Sequence, residues 1–135
     1  MCCKAAYPML RQSQGTIINV SSCAALRGQN RSVAYSASKA GMVGLTKSLA
    51  LELGPDGIRV NCVCPSNVDT PLMEEWLQTQ PDPESMKTHV SSAQVLDRMG
   101  TIDEVGDVVA FLASEKASFL TGIALVLDGG ATLGY

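Results

Sequence analysis

The chain has 135 residues, 46% of them hydrophobic, with a formal net charge of −3 and a pI of about 5.0. This length suits one domain with a buried core, so we expect residues 1–135 to form a single domain rather than a disordered segment. The sequence shows no basic stripe, and no apolar run reaches the roughly 20 residues of a membrane-spanning helix. Nucleic acid and membranes are therefore excluded as expected partners.

The cysteines indicate a reducing environment rather than a secreted disulfide framework. They are odd in number and lack framework spacing: Cys2, Cys3, Cys23, Cys62 and Cys64. Structural metal sites usually need four ligands, and the sequence adds only one histidine, His89. We expect no metal, buried thiols at positions 62 and 64, a solvated His89 and a cytoplasmic protein.

The first half of the sequence predicts a helix, a strand and a second, longer helix. Residues 5–11 form the end of a helix that stops before Gly15, and the β-branched run 16–20 predicts a strand that leads into Ser21 and Ser22. A loop through Gly28 and Asn30 follows. Residues 32–53, rich in Ala, Leu and Lys, predict a helix that ends at Gly54-Pro55.

The next segment predicts a strand followed by less regular structure. Residues 59–64 favour a strand that Pro65 ends. Residues 71–80 favour a short helix, which Pro81-Asp82-Pro83 breaks, and residues 84–98 are polar and weakly helical.

The last segment predicts one capped helix and one strand. Thr101 and Glu104 have capping-box spacing in front of an amphipathic helix over residues 105–114. Residues 123–127 are apolar at every position, which predicts a strand covered on both faces. Alternation of strands and helices predicts an α/β fold, here three strands of a doubly wound parallel sheet with flanking helices.

Tyr35 and Lys39 lie four residues apart near the start of the long predicted helix, so their side chains share one face. A nearby ammonium stabilises a phenolate and makes tyrosine an effective acid or base near neutral pH. Ser22, at the carboxyl end of the preceding strand, can hydrogen-bond the same substrate oxygen. Alone, a Tyr-x-x-x-Lys pair is a weak signal, and it also fits an ordinary helix surface.

The surrounding motifs make the signal specific. Asn19-Val20-Ser21-Ser22 precedes Tyr35-Ser36-Ala37-Ser38-Lys39-Ala40, and Ser22 lies thirteen residues before Tyr35. Further segments follow in order: Arg59-Val60-Asn61 before Pro65, Val68-Asp69-Thr70, Arg98-Met99-Gly100, Thr121-Gly122 and Asp128-Gly129-Gly130. Together these segments resemble the short-chain dehydrogenase/reductase family across nearly the whole chain.

The resemblance implies a partial Rossmann-like fold and NAD(P)-dependent interconversion of an alcohol and a ketone. It implies that Tyr35 is the catalytic acid/base, that Lys39 tunes it and binds the nicotinamide ribose, and that Ser22 anchors the substrate oxygen. It further implies that Val68, through its backbone, and Thr70, through its hydroxyl, hold the carboxamide of NAD or NADP in a loop shaped by Pro65. The family usually has glycine after this proline, whereas this chain has Ser66, so we expect a more restricted loop.

Small residues on the long helix, listed as Ala37, Ala40, Gly41, Gly44 and Ser48, resemble the surface that helps form the family's dimer interface. A homo-oligomer is therefore expected, and the substrate is a small alcohol or ketone that the sequence does not identify. Trp76, Met73 and Leu72 fit two roles equally well, either a cap over a substrate pocket or a short helix packed on the sheet.

The glycine-rich turn that binds the cofactor pyrophosphate in this family has no counterpart in the 135 residues. Three hypotheses account for this. The sequence is a truncated version of a working oxidoreductase, or a natural short product that acts as a pseudo-enzyme or partner subunit, or an unrelated α/β binding module. The number of ordered motifs argues against the third.

Overall fold

The computed structural model describes residues 2–133 of the chain. Its sheet has three parallel strands in the order β1–β2–β3, with bounds β1 (Thr16–Val20), β2 (Arg59–Pro65) and β3 (Ala124–Leu127). Ile17 lies beside Val60 and Cys62 beside Ala124, so β2 is the central strand. The predicted α/β fold is confirmed.

Helices connect and cover the strands. Their bounds are α1 (Cys2–Ser13), α2 (Ala24–Arg27), α3 (Val33–Leu53), α4 (Pro71–Gln78), α5 (Pro83–Ser92) and α6 (Ile102–Ala113). The capping box is confirmed, because Thr101 Oγ1 accepts from Glu104 N at 3.1 Å and Thr101 N donates to Glu104 Oε2 at 2.8 Å.

One local prediction differs from the structure, and a second needs a closer description. The segment after Ser22 was expected to be a loop, but it begins with α2, a single turn whose first N–H, at Ala24, donates to Ser22 Oγ at 3.2 Å. The break predicted at Pro81-Asp82-Pro83 is found, since α4 ends at Gln78, and Pro83 is then the first residue of α5. Proline lacks only an N–H that is unpaired in the first helical turn anyway, and Asp82 caps the helix by accepting from Ser85 N at 3.1 Å.

The two faces of β2 meet different helices. Cys62 and Cys64 are fully buried against Val43 of α3, and burial raises the pKa of the Cys64 thiol to about 11. On the opposite face, Arg59 Nη1 donates to the Leu112 carbonyl of α6 at 2.8 Å, and Asn61 is fully buried. The thiols behave as the buried small apolar groups that the sequence predicts.

The prediction that both faces of β3 are covered is wrong for the described residues. Val126 is 39% exposed, and Phe119, just before the strand, is fully exposed. Since α3 and α6 pack mainly on β1 and β2, the helices within residues 2–133 cover β3 only in part: Ala124 packs against the cluster of Val43 and Cys62, whereas Val126 stays exposed.

Within residues 2–133, no helix is long and apolar enough to cross a membrane. The same residues contain no group of three or more His, Cys, Asp and Glu side chains arranged to hold a metal ion. His89 is exposed near the end of α5.

Candidate active site

The first two turns of α3 bring Tyr35 and Lys39 together. The Lys39 Nζ lies 5.7 Å from the centre of the Tyr35 ring, within the range of a cation–π contact. The same Nζ donates to the Val20 carbonyl at 3.1 Å. The ammonium is therefore held between the end of β1 and a phenol that is 45% exposed and open to a substrate.

Ser22 lies just beyond the carboxyl end of β1. The sheet pattern continues to Ser21, whose N–H donates to the Val63 carbonyl at 2.8 Å, and then the chain turns into α2. Ser22 is only 9% exposed, and its Oγ accepts from Ala24 N. That bond uses one lone pair, so the hydroxyl proton remains available to a substrate oxygen.

The segment after β2 lies at the same edge of the sheet. The Pro65 carbonyl accepts from Cys23 N at 2.8 Å, which ties this loop to the residue after Ser22. Ser66 has no positive φ, and its hydroxyl donates to the Asp128 carbonyl at 3.1 Å. The loop therefore adopts a conformation open to any residue, and serine adds a contact to the segment after β3.

Val68 and Thr70 present polar groups that fit a carboxamide. Val68 lies opposite Gly100 in a parallel bridge, but the hydrogen bonds of this bridge come from the residues on either side of Val68. Gly100 N donates to Asn67 O at 3.0 Å, and Asp69 N donates to Gly100 O at 2.8 Å. Among residues 2–133 no partner is found for the N–H or the carbonyl of Val68 itself. Thr70 Oγ1 caps α4 by accepting from Met73 N at 3.1 Å and keeps its proton for donation.

A bidentate ion pair supports the strand-like contact at Gly100. Arg98 donates to both carboxylate oxygens of Glu104, at 2.9 and 2.7 Å. These hydrogen bonds, with a further one from Thr101 N, lower the pKa of Glu104 to about 2. Glu104 was predicted only as a helix cap, and no sequence pattern identified Arg98 as its partner.

The nearby cavity and the catalytic groups are separate. A cavity of about 320 Å³ lies on the α6 side of the sheet, where Val68, Gly100, Val105 and Leu127 form part of its wall. None of Ser22, Tyr35 and Lys39 lines it. In the described residues the predicted catalytic side chains therefore lie outside this cavity, with Ser22 buried and Tyr35 exposed.

The structure adds Ser21 to the site. Its side chain is 4% exposed and donates to the backbone carbonyl of Lys39 at 2.7 Å. The sequence showed Ser21 beside Ser22, but no spacing rule links a strand residue to a carbonyl inside a helix eighteen positions away.

Known proteins match this chain along almost its whole length. The family model described as "Enoyl-(Acyl carrier protein) reductase" matches residues 1–132. L-fucose dehydrogenase of Oryctolagus cuniculus is 48% identical over 132 residues, which are 98% of this chain and 46% of that protein. The chain spans about half the length of the curated relatives it matches.

Solved structures agree closely with the fold. Aldohexose dehydrogenase of Thermoplasma acidophilum superposes with a TM-score of 0.91 at 37% identity, over 98% of this chain and 54% of that one. 4-Hydroxyisoleucine dehydrogenase complexed with NADH superposes with a TM-score of 0.88 at 32% identity, over 99% of this chain and 54% of that one. With a family model that matches almost every residue and structural neighbours of this quality, the chain belongs to the short-chain dehydrogenase/reductase family.

Proposed function

We propose that this chain supplies the catalytic half of an NAD(P)-dependent oxidoreductase that interconverts an alcohol and a carbonyl compound. The observation that carries the proposal is the fixed ammonium of Lys39, which lies 5.7 Å from the Tyr35 ring and is bonded to the Val20 carbonyl. An ordinary surface lysine would have no reason to be held against both a phenol and the end of a strand.

In the direction of oxidation, the Tyr35 phenolate takes the hydroxyl proton of the alcohol while hydride leaves the carbinol carbon. The bound nicotinamide supplies the hydride acceptor in this direction and the hydride donor in the reverse one. The positive charge of Lys39 offsets the negative charge that Tyr35 carries before proton transfer. Ser22 donates its hydroxyl proton in a hydrogen bond to the substrate oxygen, where negative charge develops.

Three residues fit the nicotinamide end of the coenzyme. Lys39 uses one of its three N–H donors on Val20, which leaves two for ribose hydroxyls. The backbone of Val68 offers one donor and one acceptor, and Thr70 offers a donor, which together match a carboxamide. Related structures contain NADH in 4-hydroxyisoleucine dehydrogenase and NADP in ElxO, so both coenzymes belong in the first assay.

The relatives suggest a sugar as the substrate. L-fucose and aldohexose dehydrogenases are named for aldoses, and we extend this substrate class to the present chain. The α4 segment beyond Thr70 supports the extension. Trp76 is 43% exposed and Leu72 is 76% exposed, whereas Leu77 carries the packing of the helix. An exposed indole offers the apolar face on which a sugar ring stacks.

The homo-oligomer remains a prediction. The small-residue face of α3 is exposed, and a Cβ added to Gly41 or Gly44 would meet nothing within 4 Å. Within residues 2–133 nothing packs closely on these two glycines, which leaves the face available to a second subunit.

The proposal is tested by incubating the protein that carries this chain with L-fucose, other aldoses and simple secondary alcohols, each with NAD⁺ and with NADP⁺. We expect at least one coenzyme to be reduced, and the absorbance of the reduced nicotinamide measures this reaction. A folded protein that reduces neither coenzyme with any of these alcohols would contradict the proposal and favour the partner-subunit hypothesis.

A further inference from the structure

The side chain and the backbone of Lys39 are both tied to β1, by consecutive residues. The ammonium donates to the Val20 carbonyl at 3.1 Å, and the Lys39 carbonyl accepts from Ser21 Oγ at 2.7 Å. Nζ and the backbone carbonyl are separated by the whole flexible stem of the lysine. Together the two bonds fix the lysine at both ends and restrict rotamers that a free lysine would populate.

The Ser21 bond is partly buried and crosses the strand–helix interface. Ser21 is 4% exposed, so its hydroxyl has no access to bulk water as an alternative partner. A carbonyl within α3 already accepts the helical i+4 hydrogen bond, and the serine hydroxyl occupies its second lone pair. The bond is therefore not needed to complete the helical hydrogen bonding of α3. Its effect is to fix where Lys39 lies along β1.

A second tether of the same kind lies further along the interface. Asn19 Nδ2 donates to Thr46 Oγ1 at 2.9 Å, and Thr46 is fully buried. Asn19 on β1 and Ser21, one residue beyond its end, are two residues apart in extended chain and face the same side. Their partners are seven residues, or about two turns, apart on α3. Two such points define both the rotation and the axial position of the helix on the strand.

We propose that Ser21 is a positioning residue for Lys39, which it holds through the backbone so that the ammonium stays beside Tyr35; this inference rests on the proposed function of Tyr35 and Lys39. Ser21 itself faces α3 rather than the substrate, so its contribution is distinct from that of Ser22. Displacements of about 1 Å at a reacting group are sufficient to cost large factors in rate.

The test compares Ser21→Ala with Thr16→Val in the active protein that carries this chain. Thr16 lies on the same strand, and its hydroxyl also donates to a backbone carbonyl, that of Arg59, at 3.1 Å, but at the opposite end of the sheet. With L-fucose as the probe, or the alcohol that turns over fastest in the panel above, Ser21→Ala should lower kcat about tenfold and leave the KM of the alcohol within about twofold. Thr16→Val should change kcat by less than about twofold.

A rescue variant and a crystal structure complete the test. Ser21→Thr restores the hydroxyl and should return kcat to within about threefold of the unmodified protein. A crystal structure of Ser21→Ala should show the Lys39 Nζ beyond hydrogen-bonding distance of the Val20 carbonyl. The proposal is overturned if that distance is unchanged, if Ser21→Ala keeps full kcat, or if Thr16→Val loses as much activity. If Tyr35→Phe also keeps full activity, the proposed function fails; if only Ser21→Ala does, the inference alone fails.

Discussion

Two regions of the molecule hold their functional groups in different ways. In the proposed catalytic layer, formed by β1, Ser21, Ser22 and α3, side chains hydrogen-bond to backbone carbonyls and to another side chain across the strand–helix interface. The second region, called the loop region here, is residues 66–100, in which loops connect the short helices α4 and α5. Its backbone segments pair with one another, and apolar side chains such as Leu72 and Leu96 remain exposed. Under the proposed function, the chemistry would be fixed by the core of the fold, and substrate contacts would come from a more adaptable segment.

The largest effect is expected in the catalytic layer, for Lys39→Met. Methionine keeps a long unbranched side chain but removes the ammonium, so both the charge beside Tyr35 and the bond to Val20 are lost. We expect turnover to fall by about 100-fold or more, together with weaker coenzyme binding. Steady-state kinetics with varied coenzyme measures both effects. Lys47→Met, exposed on the same helix, is the matched control, and an equal loss there would remove the special role of Lys39.

An intermediate effect is expected where the segment after β3 packs on the loop region, for Gly130→Ala, because Gly130 lies against Val95. Gly130 has a φ of +89°, and a Cβ there would lie 2.8 Å from Val95. Both strain and overpacking oppose the substitution, so we expect the free energy of unfolding to fall by about 1–3 kcal/mol. Urea unfolding measures the change. Gly54→Ala, where φ is negative and the added Cβ meets nothing within 4 Å, should be close to neutral; equal losses in the two variants would refute the structural explanation.

The smallest effect is expected for the ion pair that supports Gly100. Hydrogen bonds from Arg98 depress the pKa of Glu104 from 4.5 to about 2. A carboxyl whose pKa is lowered by folding stabilises the folded state above the unfolded pKa, and this contribution is lost as the pH falls from 4.5 towards 2.

Glu104→Gln keeps the capping oxygen but loses the charge. Its melting temperature should therefore lie slightly below that of the unmodified protein at pH 6, and the two should converge as the pH is lowered through this window. Thermal melts across that range measure the difference, with Glu115→Gln as an exposed control. A constant difference at all pH values would contradict the assignment.

The sequence predicted the helices, the strands and the family. It predicted only some of the contacts that hold the site residues in place. Strand β2 and helix α3 follow from strong local patterns, and the capping box at Thr101 follows from spacing alone. The turn of α2 was missed because four residues carry no periodicity. The partial exposure of β3 was missed because an apolar sequence has the same pattern whether or not a helix covers the strand.

Tertiary hydrogen bonds could not be predicted at all. The contact of Ser21 with the Lys39 carbonyl depends on how α3 lies on β1, and the bond of Ser66 to Asp128 O joins segments 62 residues apart. Local patterns contain neither piece of information. They indicate which residue types carry chemistry, whereas packing decides which neighbours hold those residues in place.

The central claim is that Tyr35 moves the proton during hydride transfer, and Tyr35→Phe tests it most directly. In the protein that carries this chain, coenzyme reduction by the best alcohol of the panel should be abolished, while the fold and melting temperature remain close to those of the unmodified protein, because only an exposed hydroxyl is removed. Tyr7→Phe, which removes the hydrogen bond to Asp56 at 2.7 Å far from the site, should keep its turnover. If Tyr35→Phe retained more than a few per cent of the activity, another group would be the acid/base and the account would be wrong.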